Sequence, residues 1–187
     1  LLDGFSCTDL SAATQRKFLN RTFRVVEKKK KTTPDIRQDL FNRINTSGVK
    51  ASDSEVRRGS YPGKLTRFIE ECCKNELFVS LCPLSKNKAV RQERFELVLR
   101  FFAYLYNYQE FEHDVNPFLN AYLAANLETF DEVQFKTDFD SMLDFVNAHF
   151  EYGFAKSANA TTTPRVRFEA LSVGVALALK EQPDLSV

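Results

Sequence analysis

At 187 residues, 43% of them hydrophobic, the chain is long enough for one domain of ordinary size, or for a core with a small appendage. Its 26 basic and 25 acidic side chains nearly cancel to a net charge of +1, which excludes a globally basic nucleic-acid binder or membrane-surface protein and leaves only local basic sites. No stretch approaches the roughly 20 apolar residues of a membrane span, and the N-terminus has neither the basic nor the apolar region of a secretory signal, so a cytoplasmic location is expected.

The first element in chain order is a short helix from Ser11 to Asn20. Ser11 can cap it, and Ala12, Ala13, Phe18 and Leu19 supply a partial apolar face. Thr22-Phe23-Arg24-Val25-Val26 alternates and is β-rich, the one convincing strand in the chain. A lone strand is not stable by itself, so its partners are expected upstream of Leu1. The opening Leu1-Leu2-Asp3-Gly4, with Met142 as the only methionine, also reads as part of something longer. Lys28, Lys29, Lys30 and Lys31 follow as a basic run, either a solvated loop or a loop that contacts the phosphates of DNA.

Thr33-Pro34 then opens a helix, with Ile36, Leu40, Phe41 and Ile44 on one face and Gly48 placed to end it. Ser52-Asp53-Ser54-Glu55 fits a capping box, so the next helix begins there, and Gly59-Ser60-Tyr61-Pro62-Gly63 breaks the chain. Lys64 to Leu77 reads as one helix carrying Leu65, Phe68, Ile69 and Cys72, and Leu81 to Asn87 as a loop. Ala89 to Tyr108 is the longest apolar helix, hydrophobic round nearly its whole circumference, as expected of the central helix of a bundle. Pro117 to Leu127, Glu132 to Phe150 and Val166 to Leu179 are three further helices, with Ala158 to Pro164 as the loop before the last. The fold class is therefore mainly α. It is a multi-helix bundle with one strand remnant near the N-terminus: residues 1–30 form the edge of an incomplete core and residues 31–187 the helical domain. Eighteen phenylalanines and no tryptophan forecast a core of aromatic and aliphatic packing.

Chemistry concentrates between residues 41 and 59. Arg43 and Asn45 fall at the C-terminal end of one helix, and Glu55 and Arg58 in the first turns of the next. A guanidinium offers a planar fork to phosphate oxygens, an amide can orient phosphate or water, and a carboxylate can hold a divalent ion or accept a proton. With Ser52 and the free amides of a helix start, these side chains are expected to compose half of a nucleotide pocket. A plainer reading stands beside it: Glu55 closes a capping box, Asn45 caps a helix and Arg57 is solvated. Glu96 and Arg100, four apart, suit a structural ion pair. Glu93 and Arg94 read as solvent flanks, and Asp138, Asp140 and Asp144 as a solvated face. Cys7, Cys72, Cys73 and Cys82 lack zinc-ligand spacing and, with only His113 and His149 as imidazoles, read as reduced thiols with no structural metal.

The run Phe41-x-Arg43-Ile44-Asn45-Thr46-x-Gly48 with Glu55-Val56-Arg57 resembles the F-x-R-[IL]-N-T-G-G…E-[IV]-R element of the ParB/sulfiredoxin-like domain of GmrSD-type restriction proteins. The similarity extends through Glu96–Ala103 to Arg167-Phe168-Glu169-Ala170-Leu171. The resemblance implies the helical part of a nucleoside-triphosphate-binding and -hydrolysing domain in defence against foreign DNA. Arg43, Asn45 and Glu55 would be catalytic, Glu55 would hold Mg²⁺, and Arg43, Asn45, Thr46, Ser47, Gly48 and Arg58 would bind nucleotide. Nucleotide, DNA and a nuclease domain or subunit are the partners it implies. The chain departs from the family where Ser47 replaces the second glycine and where Phe5-Ser6-Cys7, not Gln-Arg, follows Asp3-Gly4. The chain alone is accordingly expected to be inactive. The alternative from another class is a non-catalytic helical module that binds protein or DNA.

Overall fold

A computed structural model describes residues 6–22, 33, 36, 39–40, 51–90 and 92–185. The chain divides into two units, Leu1–Thr32 and Thr33–Val187. In the first, a 3₁₀ turn at Cys7–Asp9 leads into α1, Ala12–Leu19, with Ser11 at the N-cap position. Of the partial apolar face expected of α1, Phe18 and Leu19 are exposed. Of the strand expected at 22–26, residues 23–26 lie outside the described residues, as do Lys28 to Lys31.

The second unit is the mainly helical bundle that the periodicity forecasts. Its described helices are α2 (Asp53–Ser60), α3 (Lys64–Cys72), α4 (Glu76–Leu81), α5 (Lys86–Val90), α6 (Glu93–Asn107), α7 (Val115–Asn126), α8 (Glu132–His149) and α9 (Arg165–Glu181). Residues 36, 39 and 40 are helical as well. Each start has a local cause. Ser52 accepts from the Glu55 amide while Glu55 reaches back to Ser52 N, the reciprocal box expected for α2. Asn75, Asp114 and Asp131 cap α4, α7 and α8 with side-chain oxygens.

The helix expected to run from Lys64 to Leu77 is two helices, because Asn75 Oδ1 accepts the Phe78 amide and restarts the chain in a new direction. The long helix expected from Ala89 is also broken. Gln92 takes a left-handed conformation (φ 60°), and its carbonyl accepts from Ser54 Oγ of α2 at 2.8 Å. Such a φ is uncommon outside glycine and asparagine. A tertiary hydrogen bond, invisible to local pattern, holds it. The expected loop at Leu81–Asn87 is shortened by α5.

Helix α6 is the centre of the bundle. Phe95, Leu97, Val98, Leu99, Phe101 and Phe102 are all essentially inaccessible. Helix α9 packs along α6 and α8, α7 packs on α6, and α4 on α8. Phenylalanines fill the joints: Phe135 stacks on Phe102 (4.8 Å between centroids) and on Tyr106 (4.4 Å), and Phe78 meets Phe139 and Phe168 edge-on. Each fully buried Phe contributes on the order of 1.5–3 kcal/mol relative to exposure. Gly63 lets the start of α3 close on the end of α7. A Cβ there would lie 2.4 Å from Leu127 Cγ, and Leu65 N donates to Leu127 O at 3.0 Å. Among the described residues no helix is long and apolar enough to cross a membrane.

Candidate functional site

Glu93, Glu96 and Arg100 are spaced three and four residues apart, which places all three on one face of α6. They interrupt a largely apolar helix, and every one is buried. Each finds its counter-charge on another helix. Arg165 Nε and Nη2, on α9, donate to the two Glu93 oxygens at 2.7 Å each. One turn further along α9, Glu169 accepts from Arg100 Nη1 at 2.5 Å. The pairs follow the same order on both helices, so α6 and α9 run in the same direction.

Arg57 completes the arrangement from α2. Its Nη1 donates to Glu96 Oε2 at 2.6 Å, while Glu96 Oε1 accepts from Arg100 Nε at 3.0 Å. Its remaining donors reach α7: Nε to Asn120 Oδ1 and Nη2 to Asn116 Oδ1, both 2.9 Å. Expected as a solvated side chain in the plainer reading, Arg57 is 2% exposed. Glu93, expected in solvent, is 6% exposed. The reason is the same for both: a buried charge persists only where opposite charge and hydrogen bonds replace its water, and those partners are 39 to 72 positions away. The Glu96–Arg100 ion pair expected from their spacing is present, as one link of a longer chain.

The electrostatics follow from burial and pairing. Desolvation lowers the Arg57 pKa, with the Glu96 charge opposing. Burial on its own would raise the Glu93 carboxyl, but the Arg165 hydrogen bonds and charge, helped by Lys88 and Arg100, leave it below the ordinary value. The hydrogen bonds to Glu93 raise Arg165 in turn. Glu93 and Arg165 are therefore both ionised near neutral pH.

A cleft of about 470 Å³ opens over this network, lined by Ala51–Ser54 at the start of α2, Glu96 and Arg100, Val115 and Asn116, and Arg165. Arg100 is nine-tenths buried, and its Nη2 has no hydrogen bond among the described residues; the same holds for Nη1 of the half-exposed Arg165. Asp53, exposed at the lip, accepts from Asn116 Nδ2 at 3.2 Å. Among the described residues the cleft thus offers guanidinium donors without a hydrogen bond beside carboxylate and amide groups.

Of the residues assigned to a nucleotide site from sequence, Arg43, Asn45, Thr46, Ser47 and Gly48 lie outside the described residues. Glu55 is half-buried, and its Oε2 accepts from Ser52 N at 2.6 Å and Ser52 Oγ at 3.0 Å. Arg58 is on the surface and donates from Nε to Glu70 Oε1 at 2.5 Å. Sequence reasoning passed over Asn116, Asn120 and Arg165, and it named Arg57 and Glu169 only within the resemblance, with Arg57 solvated in the plainer reading. A signal existed: Arg165 and Glu169 on α9 carry, in the same order, the charges opposite to Glu93 and Arg100 on α6.

Elsewhere, Asp138 corrects the expectation of a solvated acidic face. It is 9% exposed and accepts from Tyr106 Oη (2.5 Å), Gln134 Nε2 (2.7 Å) and Lys180 Nζ (2.7 Å), clasping α6, α8 and α9 together. Asp144 is exposed, and Asp140 pairs with Lys136. All four cysteines are free. Burial pushes the Cys72 and Cys73 thiols up to about 12 and Cys82 to about 11, far from thiolate reactivity. His113 and His149 are exposed, and among the described residues no three His, Cys, Asp or Glu side chains gather where they could hold a metal ion. Compared with known protein families, with curated proteins and with solved structures, the chain matches none of them.

Proposed function

We propose that the chain is the helical part of a nucleotide-handling, GmrSD-like restriction or phage-defence protein, and that the cleft at the start of α2 is where the ligand meets the bundle. One observation carries the reading. Guanidinium donors of Arg100 and Arg165, the Asn116 amide and the Ser52–Ser54 turn face a common cleft immediately after the Arg43–Gly48 motif in sequence. Guanidinium groups held by buried partners are preorganised for an oxyanion, because their orientation is fixed before the ligand arrives. In this reading Arg43, Asn45 and the Thr46-Ser47-Gly48 turn add the phosphate-facing wall, and Lys28 to Lys31 contact DNA. Glu55 Oε2 is engaged by Ser52 N and Oγ. In the full-length protein Arg43→Ala should abolish nucleoside-triphosphate turnover while leaving the thermal midpoint nearly unchanged. Unaltered turnover would remove Arg43 from the mechanism.

The second reading, a non-catalytic helical module for protein or DNA binding, is favoured by a different observation: each arginine of the network already has a carboxylate partner. Melting the chain with and without nucleotide and Mg²⁺ separates the two. A nucleotide-dependent rise in midpoint supports the first, and an unshifted midpoint together with DNA or protein capture supports the second.

A further inference from the structure

A second cleft, of about 460 Å³, shares no residue with the one over the arginine network. It is lined by the chain that leads from the end of α6 through a 3₁₀ turn at Tyr108–Glu110 to the cap of α7, and by one stripe of α7 itself. That stripe runs from Asp114 to Ala125 at spacings of three and four, a length of about 16 Å at about 1.5 Å per residue. The carboxylates of Glu110, Glu112 and Asp114 stand exposed at the mouth. None of the three forms an ion pair among the described residues, and the described lining contains neither lysine nor arginine. Tyr122 lines the cleft from beneath. It is 3% exposed, and its hydroxyl has no hydrogen-bond partner. Burial alone pushes its phenol well above the ordinary value, so it is a neutral hydroxyl able to give or take a hydrogen bond. Buried hydroxyls in folded proteins are normally bonded, so one left over at the base of a cleft points to a ligand that supplies the missing partner.

An acidic mouth calls for a cation, and the rest of the lining selects which kind. Among the described residues no three carboxylate, imidazole or thiol groups gather closely enough to chelate a metal ion. Between the mouth and Tyr122 the surface is apolar, from Pro117, Phe118 and Ala121. Such a surface suits methylene groups, and aromatic rings attract organic ammonium ions. The volume lies in the range of small-molecule sites. We propose that this cleft binds a linear polyamine, one ammonium group among Glu110, Glu112 and Asp114, its methylene chain along Phe118 and Ala121, and a further amine at the Tyr122 hydroxyl.

Calorimetric titration of the chain tests it, with spermidine, butylamine and Mg²⁺ as separate probes. Spermidine should bind at one site per chain, at least tenfold more tightly than either of the others. Glu112→Gln, at an exposed position, should weaken spermidine at least threefold and leave the thermal midpoint of the free chain where it is. Tyr122→Phe should weaken spermidine at least threefold without lowering that midpoint, because the hydroxyl it removes bonds to nothing in the free chain. A preference for spermidine of less than tenfold over butylamine or Mg²⁺ overturns the assignment, since a merely acidic surface would bind all three alike. Spermidine affinity indifferent to Tyr122→Phe or to Glu112→Gln overturns it as well, as does the absence of spermidine binding. None of these outcomes bears on the nucleotide reading, which concerns the other cleft.

Discussion

Replacing Arg57 by methionine keeps an unbranched apolar stem and removes the guanidinium that ties α2 to the bundle. Three hydrogen bonds go with it, one to Glu96 and one each to Asn116 and Asn120. Removing one member of a buried ion pair costs about 3–5 kcal/mol, most of it the charge left behind. Glu96 keeps Arg100 at 3.0 Å, which argues for the lower end. Exposed Asn116 can turn to water, but half-buried Asn120 loses a donor, worth about 1 kcal/mol. The expected loss is therefore about 3–4 kcal/mol, which at about 2–4 °C per kcal/mol for a chain of this size lowers the midpoint by about 10 °C. Urea unfolding followed by circular dichroism measures it. Arg58→Met is the control. That side chain is 43% exposed against a Glu70 that is 31% exposed, and a surface pair contributes less than about 1 kcal/mol. Adding Glu96→Gln to Arg57→Met should cost less than the sum of the two single changes. If Arg57→Met costs under about 1 kcal/mol, or no more than Arg58→Met, the network does not hold α2 to the bundle and the reasoning fails.

Gly63→Ala should destabilise by about 1–3 kcal/mol, because the new methyl meets Leu127 Cγ and Cδ1 at 2.4 and 2.5 Å; thermal melting checks it, and Leu127→Ala in the same chain should recover part of the loss. Asp138→Ala should cost about 2–4 kcal/mol by orphaning Tyr106 Oη, Gln134 and Lys180 together, a loss readable in urea, whereas Asp144→Ala at its exposed position should change little. Acid sensitivity should be traceable to Glu93. Its folded carboxyl lies below the ordinary 4.5, so its contribution is complete above that pH and is lost as the pH falls toward the folded value. Glu93→Gln should flatten that part of the stability–pH curve, and an unchanged slope would contradict the pairing. In the native state a thiol reagent should label exposed Cys7 first and Cys72 and Cys82 only on unfolding, as peptide mass spectrometry would show.

Helical class, the central buried helix and the capping box before α2 were legible in the sequence because each depends on residues within one or two turns of one another. The 3.6-residue spacing of apolar side chains around Phe101 and the Ser52–Glu55 exchange are local facts, and local chemistry decides them. The break at Asn75 was legible too, since an Asn before an apolar run is a cap signal, and reading through it joined two helices that are separate. Tertiary structure alone decided the left-handed Gln92 and the fate of the charges. Ser54 and Gln92 are 38 residues apart, Arg57 and Glu96 39, and Glu93 and Arg165 72. Whether an arginine faces water or replaces it with a carboxylate depends on what other helices bring to its side. That is why adjacent Arg57 and Arg58, indistinguishable by type and neighbourhood, end respectively in the interior and on the surface.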